Sequence, residues 1–389
     1  MLLPLRYTVR NVLVRQTSAL LTMLGIALTV AVFAGVIALR DGFEALYRPR
    51  GDESLVIYMR PGATSEGESI IRRSEAEILI KERPEIDRND KGLPLAAAET
   101  FLAVYLEKRE GGTLTNVPLR GIQSMSLEIL GDNVRLVEGR WLQFGSDEVV
   151  VGQPLTERMR NARVGDTINL NITPFKVVGV FEHQGAQGNE VWGDVDRMME
   201  ALERPVYQRV IARLRPGTDI GAVAEELRNH SRTPMKVLSE KDYLAAQTPL
   251  LRALLSFLAA FLTLIMGASA VLGAMNTMLA SVASRTHEIG VLLCLGYSRI
   301  AIFLTFLIEA AFIGLIGGSA GILLTLPFDG LETGMTNFNT FTDVSFAFRV
   351  TPELIATSFV LAFVLGLIGG TIPAWRAARL TPVNALRTF

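Results

Sequence analysis

Charged residues are spread unevenly along the chain, and four stretches carry almost none. Residues 16–39 hold 24 positions without a charge, 253–284 hold 32 and 354–375 hold 22, while 300–328 carries Glu309 alone. About 20 apolar residues cross the roughly 30 Å hydrocarbon core of a bilayer, so each stretch predicts a membrane-spanning helix. At about 1.5 Å per residue the second stretch reaches roughly 48 Å, which requires a strong tilt or a continuation beyond the bilayer. It ends at Arg285-Thr286-His287-Glu288-Ile289-Gly290, and apolar sequence resumes after Arg299. The interruption is too short for a domain and suits a helical elbow. Within it Arg285, Glu288 and Arg299 are polar, while Ile289, Leu292, Leu293 and Leu295 are apolar. That pattern describes an amphipathic helix lying on the membrane or docked in a partner's groove.

The first stretch is too long for the 7–15-residue apolar core of a cleaved leader, and 39–41 offers no small-x-small cleavage site, so it reads as a retained span. Residues 50–240 change character. Strand patterns fall at 54–59, 102–108, 114–121, 148–151, 167–171, 176–181 and 210–214, with helices at 69–81 and 220–229. The fold class is therefore a four-helix membrane protein with a mixed α/β domain inserted between helices 1 and 2. The domains divide at 1–40, 41–250 and 251–389, with the elbow at 284–299. Residues 237–251 lead into the second span without an obvious break, as a rigid lever would.

Flanking charge sets the orientation. Residues 1–15 hold Arg6, Arg10 and Arg15, and 376–389 hold Arg376, Arg379 and Arg387, with no acidic residue in either. Residues 329–353 hold Asp329, Glu332, Asp343 and Glu353 against Arg349 alone. The positive-inside rule then places both termini and the elbow in the cytoplasm and the large domain outside.

Composition narrows the chemistry. Only 20% of the 389 residues are charged and the net charge is −1, which gives no sign of a nucleic-acid partner. A single cysteine, Cys294, excludes an internal disulfide. No phosphate-binding loop or serine elbow is present. His287-Glu288 starts like a zinc-protease motif, but Val291 stands where the second histidine belongs. His183, His230 and His287 are far apart, with no partner at ligand spacing. Catalysis and metal binding by this chain are not expected. Glu309 lies inside a span, where an ionisable group costs roughly 2.5–3.5 kcal/mol. It is either a switching group or a carboxylate bonded to a neighbouring helix. Gly314, Gly317, Gly318 and Gly321, with Gly366, Gly369 and Gly370, form small-residue faces suited to close helix packing.

Asn276-Thr-Met278 through Arg285-Thr-His-Glu288-Ile289-Gly290-Val-Leu-Leu-Cys-Leu295-Gly296 resembles the second span and coupling helix of MacB-type ABC transporter permeases, which share the FtsX-like permease domain. The tail from Pro373 to Leu386 and the segments Glu148-Val-Val-Val-Gly152, Val164-Gly165-Asp166 and Phe175-Lys-Val-Val-Gly179 are also similar to that family. The resemblance implies two permease chains, identical or related, and two ATPase chains that carry ATP and magnesium. This chain itself would bind no cofactor. Arg285, Glu288, Ile289, Gly290, Leu293, Leu295 and Gly296 would form the ATPase-coupling surface, and Asn276, Glu309 and the glycines of span three would pack or switch. Leu293 and Cys294 replace the Arg or Lys and the Ala usual there. MacB proper fuses its ATPase to the permease, and residues 1–15 leave no room for one, so a separate ATPase is expected.

The expected function is a permease of the bacterial inner membrane, passing the energy of ATP hydrolysis to an outer domain that exports or extracts a lipid, lipoprotein or other amphiphile. Membrane lipid and possible periplasmic adaptor or carrier proteins complete the partners. The alternatives are an FtsX-like regulator of a periplasmic hydrolase and a membrane-anchored receptor without an ATPase.

Overall fold

The computed structural model describes residues 16–47, 54–183, 185–337 and 340–381. The chain divides into two compact units, one of helices and one built on a sheet.

The helical unit is made of four long helices: Gln16–Leu46, Pro249–Ser284, Arg299–Thr325 and Pro352–Ala378, of 31, 36, 27 and 27 residues. All four are long and apolar enough to cross a membrane. Spans one, two and four are longer than their uncharged stretches, because a helix continues past the hydrocarbon until a capping signal stops it, whereas span three ends at Thr325, inside its stretch. Ser298 accepts a hydrogen bond from the Ala301 amide, and Thr351 does the same for Leu354. Each hydroxyl satisfies an amide that has no partner within its helix. Pro352 sits in the first turn of span four, where a missing N–H costs nothing. The segment before span two is not one continuous rod. A short helix, Glu240–Ala245, closes with a turn, and Pro249 opens the long helix. Proline cannot extend the preceding helix, because it lacks the N–H and clashes with the turn before it. The expected rigid lever across 237–251 is thus two helices joined by a turn.

The sheet unit holds β1 (Leu55–Met59), β2 (Ala96–Glu107), β3 (Leu114–Ile122), β4 (Val134–Gly139), β5 (Glu148–Gly152), β6 (Thr167–Leu170), β7 (Thr173–His183), β8 (Val191–Asp194), β9 (Arg209–Arg213) and β10 (Lys236–Ser239). Their order is β10-β1-β9-β2-β3-β8-β5-β7-β4, with β6 paired to β7. The first four neighbours are antiparallel, and helices Arg73–Glu82 and Ile220–Arg228 connect β1 to β2 and β9 to β10. That is a split β-α-β arrangement, with the β3–β8 region inserted between its halves. β1 is buried along its whole length and reads as an unbroken apolar run, because side chains pack on both faces. Val56, Tyr58, Val210 and Val237 meet the two crossover helices, whereas Leu55, Ala97, Ile211 and Trp192 fill the other side.

A second hairpin, β11 (Glu332–Asn337) and β12 (Thr342–Ala347), lies between spans three and four in sequence. Residues 332–346 nonetheless fold with the sheet unit. Asp343 anchors the hairpin there, 2.7 Å from the Lys108 ammonium and 2.5 Å from the Arg158 guanidinium. Asn189 adds two hydrogen bonds to the Ser345 backbone.

Candidate functional site

The elbow is the helix Thr286–Cys294, entered through Arg285. It stops at Leu295 and Gly296, whose φ of +90° is a conformation that glycine adopts without strain. Ile289 and Gly290 are buried, and Ile289 packs with Met278, Val282, Ile302 and Phe306 from spans two and three. Leu293 is half-buried against the same cluster. His287, Glu288, Val291, Cys294 and Leu295 are exposed, Leu295 at 72%. Their spacing puts them on one helical face. The coupling residues inferred from sequence therefore separate: Arg285, Ile289 and Gly290 face inward, Leu293 lies at the margin, and Glu288, Leu295 and Gly296 are exposed.

Arg285 ties this helix to the membrane core. Its Nη1 donates to Glu309 Oε2 at 3.2 Å and its Nε to Glu288 Oε2 at 3.3 Å. Its guanidinium also lies 5.1 Å from the Phe306 ring centroid. Glu309 is only 4% exposed. A lone charge at that depth is costly, and opposite charge with hydrogen bonding offsets the penalty. The carboxylate is thus bonded to a neighbouring element.

The glycines of span three serve two different seams. A Cβ on Gly314 would lie 2.6 Å from the Ala362 carbonyl oxygen and 3.1 Å from Gly366 Cα, and one on Gly318 would collide with the Ala362 methyl. Both therefore allow contact with span four. Gly317 and Gly321 instead face span one, where a Cβ would meet the Met23 and Ala27 carbonyls. Close backbone approach of this kind replaces the hydrophobic drive that is missing between helices in lipid.

Asn276 lies elsewhere, in a groove of about 420 Å³ between spans one and two that also includes Thr22, Gly25, Ser269, Gly273 and Thr277. The Thr22 and Thr277 hydroxyls meet at 2.7 Å along it. Leu21, Leu28 and Ile265 beside them are exposed. An open strip of small and hydroxylic side chains among exposed leucines is suited to receiving another helix.

The sheet unit contains a charge network that sequence analysis missed. Arg120 of β3 grips Glu190 with two hydrogen bonds, at 2.6 and 2.8 Å, and reaches Glu66 at 2.7 Å. Arg209 of β9 bonds Glu66 at 2.8 Å and Glu99 at 2.7 Å. Trp192 donates to Glu190 at 2.8 Å. All of these side chains are buried. Burial alone would push the Glu66 carboxyl up, but the guanidiniums of Arg120 and Arg209 outweigh it and hold the carboxyl below its usual range. The nearby His183 is pushed down to about 4, first by burial and further by the two arginines, and so stays neutral. The signal in the sequence was slight, a charge next to a short apolar run, as in Ala-Ala-Ala-Glu99 and Arg209-Val-Ile-Ala.

The network forms one wall of a cavity of about 60 Å³. Tyr47, Tyr243 and the hairpin residues Asn337 and Val344 supply other parts of the lining. These segments are the ones whose chain continues into spans one and two and links spans three and four. Among the described residues no group of His, Cys, Asp and Glu is arranged to hold a metal ion.

Comparison with known proteins matches residues 19–230 to the MacB-like periplasmic core domain and 254–382 to the FtsX-like permease C-terminal domain. The chain is 29% identical to the macrolide export ATP-binding/permease protein MacB of Pasteurella multocida, an alignment covering 94% of this chain and 57% of that protein. It thus spans little more than half of that relative's length. It is 23% identical to an ABC transporter permease of Methanocaldococcus jannaschii, with 98% and 96% covered. Identity to an ABC transporter permease of Bacillus subtilis is 25%, with both chains covered in full.

Proposed function

The chain belongs to the ABC transporter permeases that combine a MacB-like periplasmic core domain with an FtsX-like permease domain, and from that premise we propose that it is the membrane subunit of an ATP-driven assembly. Two copies of a separate ATPase subunit bind nucleotide and magnesium, and their closure pushes on the elbow. The observation that carries this proposal is the way the elbow is held. Its inner side is clamped to span three by Arg285 and Glu309, while its outer face stands exposed at the end of a 36-residue helix. A push on a helix anchored in this way moves the spans, because the ion pair and the Ile289 cluster resist local bending.

Span two then carries that movement toward the sheet unit, which works on an amphiphile such as a lipid or lipoprotein outside the membrane. Supporting this, Glu309 is the one charge in the apolar stretch 300–328 and is bonded to Arg285, while 16–39, 253–284 and 354–375 carry no charge. The arginine-rich flanks support a reading in which both termini are cytoplasmic and the sheet unit is periplasmic, in a bacterial inner membrane. A second permease chain lies against the groove between spans one and two, and a periplasmic adaptor or carrier completes the assembly.

The test is a gentle detergent pull-down of the tagged chain with mass spectrometry and an ATPase assay. Recovery of a nucleotide-binding subunit with vanadate-sensitive activity is the expected result. Replacing Glu288 and Gly290 together should abolish the coupled activity and leave membrane insertion intact. A chain that purifies alone and without ATPase under several gentle conditions would overturn the proposal.

A further inference from the structure

We propose that the C-terminal end of span four is a binding site for the headgroup of an anionic phospholipid. Thr371, Ile372, Trp375, Arg376, Arg379 and Leu380 line one open groove along this end of the helix. Ile368 and Ile372 are exposed two turns and one turn before Arg376, as a surface facing acyl chains would be. Trp375 follows at 54% exposure, and Arg376 and Arg379 extend past it. Along one face the helix therefore passes from apolar to aromatic to cationic, the sequence of a bilayer from core to headgroup.

Two features go beyond ordinary interfacial anchoring. Arg379 lies over the Trp375 ring, 5.0 Å from its centroid, which fixes one cation at the depth of the indole. Arg376, one turn before it on the helix, has no carboxylate partner among the described residues, and neither has Arg379. Two neighbouring cations with no carboxylate on either among the described residues suit an anion, and at a helix end with this apolar-to-aromatic-to-cationic face that anion is a lipid phosphate. A phosphodiester between the two guanidiniums accepts hydrogen bonds from both. An additional acidic headgroup is distinguished from zwitterionic lipid by net charge. Each basic group near an anionic surface is worth roughly a fivefold preference at low salt.

Tryptophan fluorescence measures this directly. The full chain is placed in nanodiscs of phosphatidylcholine containing a small, equal fraction of dibrominated phosphatidylglycerol or dibrominated phosphatidylcholine. Brominated phosphatidylglycerol should quench several-fold more strongly, and the difference should disappear in Trp375→Phe. Arg376→Gln/Arg379→Gln should equalise the two lipids. In the unaltered chain, about 1 M salt, where the screening length is about 3 Å, should shrink the preference, and this arm requires no variant to fold. Equal quenching by both lipids in the unaltered chain overturns the proposal. So does a preference that survives in the double variant or in Trp375→Phe. Both leaflets of the disc have the same composition, so the result is independent of the membrane orientation and the ATPase partner proposed above.

Discussion

Glu309→Gln isolates the contact that fastens the elbow. Glutamine keeps the shape of glutamate and one acceptor oxygen, and it removes the charge that Arg285 Nη1 meets at 3.2 Å. Leaving a buried charge with no partner costs roughly 3–5 kcal/mol. Arg285 still has Glu288 at 3.3 Å and the face of Phe306, so the cost falls lower, at about 2 kcal/mol. Shifts of about 2–4 °C per kcal/mol in sizeable domains put the change in heat-induced loss of monodisperse protein at about 5 °C. Arg285→Gln should cost a similar amount, and the double variant scarcely more than either single one. The coupling between the two positions is then about 1.5–2 kcal/mol, well outside the roughly 0.5 kcal/mol expected of independent sites. The assay is size-exclusion chromatography after stepwise heating in a mild detergent, on all four proteins of the cycle. Additive losses would refute the pairing, and a silent Glu309→Gln would show that its charge carries no weight in the fold.

Gly314→Val should prevent normal packing of spans three and four, because its Cβ would sit 2.6 Å from a carbonyl oxygen; aggregation on extraction is the readout. Gly273→Leu is the counterpart: nothing lies within 4 Å of a Cβ there, so the fold should survive while disulfide cross-linking between cysteines placed along the span-one/span-two groove fails. Asp343→Asn should loosen the β11–β12 hairpin by about 2–3 kcal/mol at pH 7, seen as faster amide exchange across 342–347. Burial pushes the Asp343 carboxyl up, but Lys108 and Arg158 more than offset this and hold it below its ordinary value. Its contribution is therefore present above the ordinary aspartate range and is lost as pH falls through the lowered value, so the variant and the parent should converge in acid. Arg120→Met should leave Glu190 and Glu66 buried without their main counter-charge, at roughly 3–5 kcal/mol, and reduce the yield of folded chain.

The sequence alone determined where this chain meets lipid, because an unpaired charge in hydrocarbon is so costly that the spans are recorded as gaps between charges. It also located the elbow, the mixed α/β class of the inserted domain and seven of its strands, all of which follow from local periodicity. β4, β8 and β10 escaped notice. β4 is largely exposed, with alternation only over Val134-Arg135-Leu136, and the other two are four residues long. The residues around 96–98 are small alanines, so β2 begins earlier than its bulkier residues suggest. Tertiary structure decided everything that depends on partners distant in the chain. Glu66 and Arg209 lie 143 residues apart, and in sequence each reads as an ordinary solvated charge. Arg285 and Glu309 were each legible as notable, but only folding brings them together. The same holds for the choice by Gly314 of span four and by Gly317 of span one, and for the return of residues 332–346 to the sheet. A local pattern records the solvent a position faces. The partner that satisfies a buried charge, or fills the space beside a glycine, is set by which elements pack together.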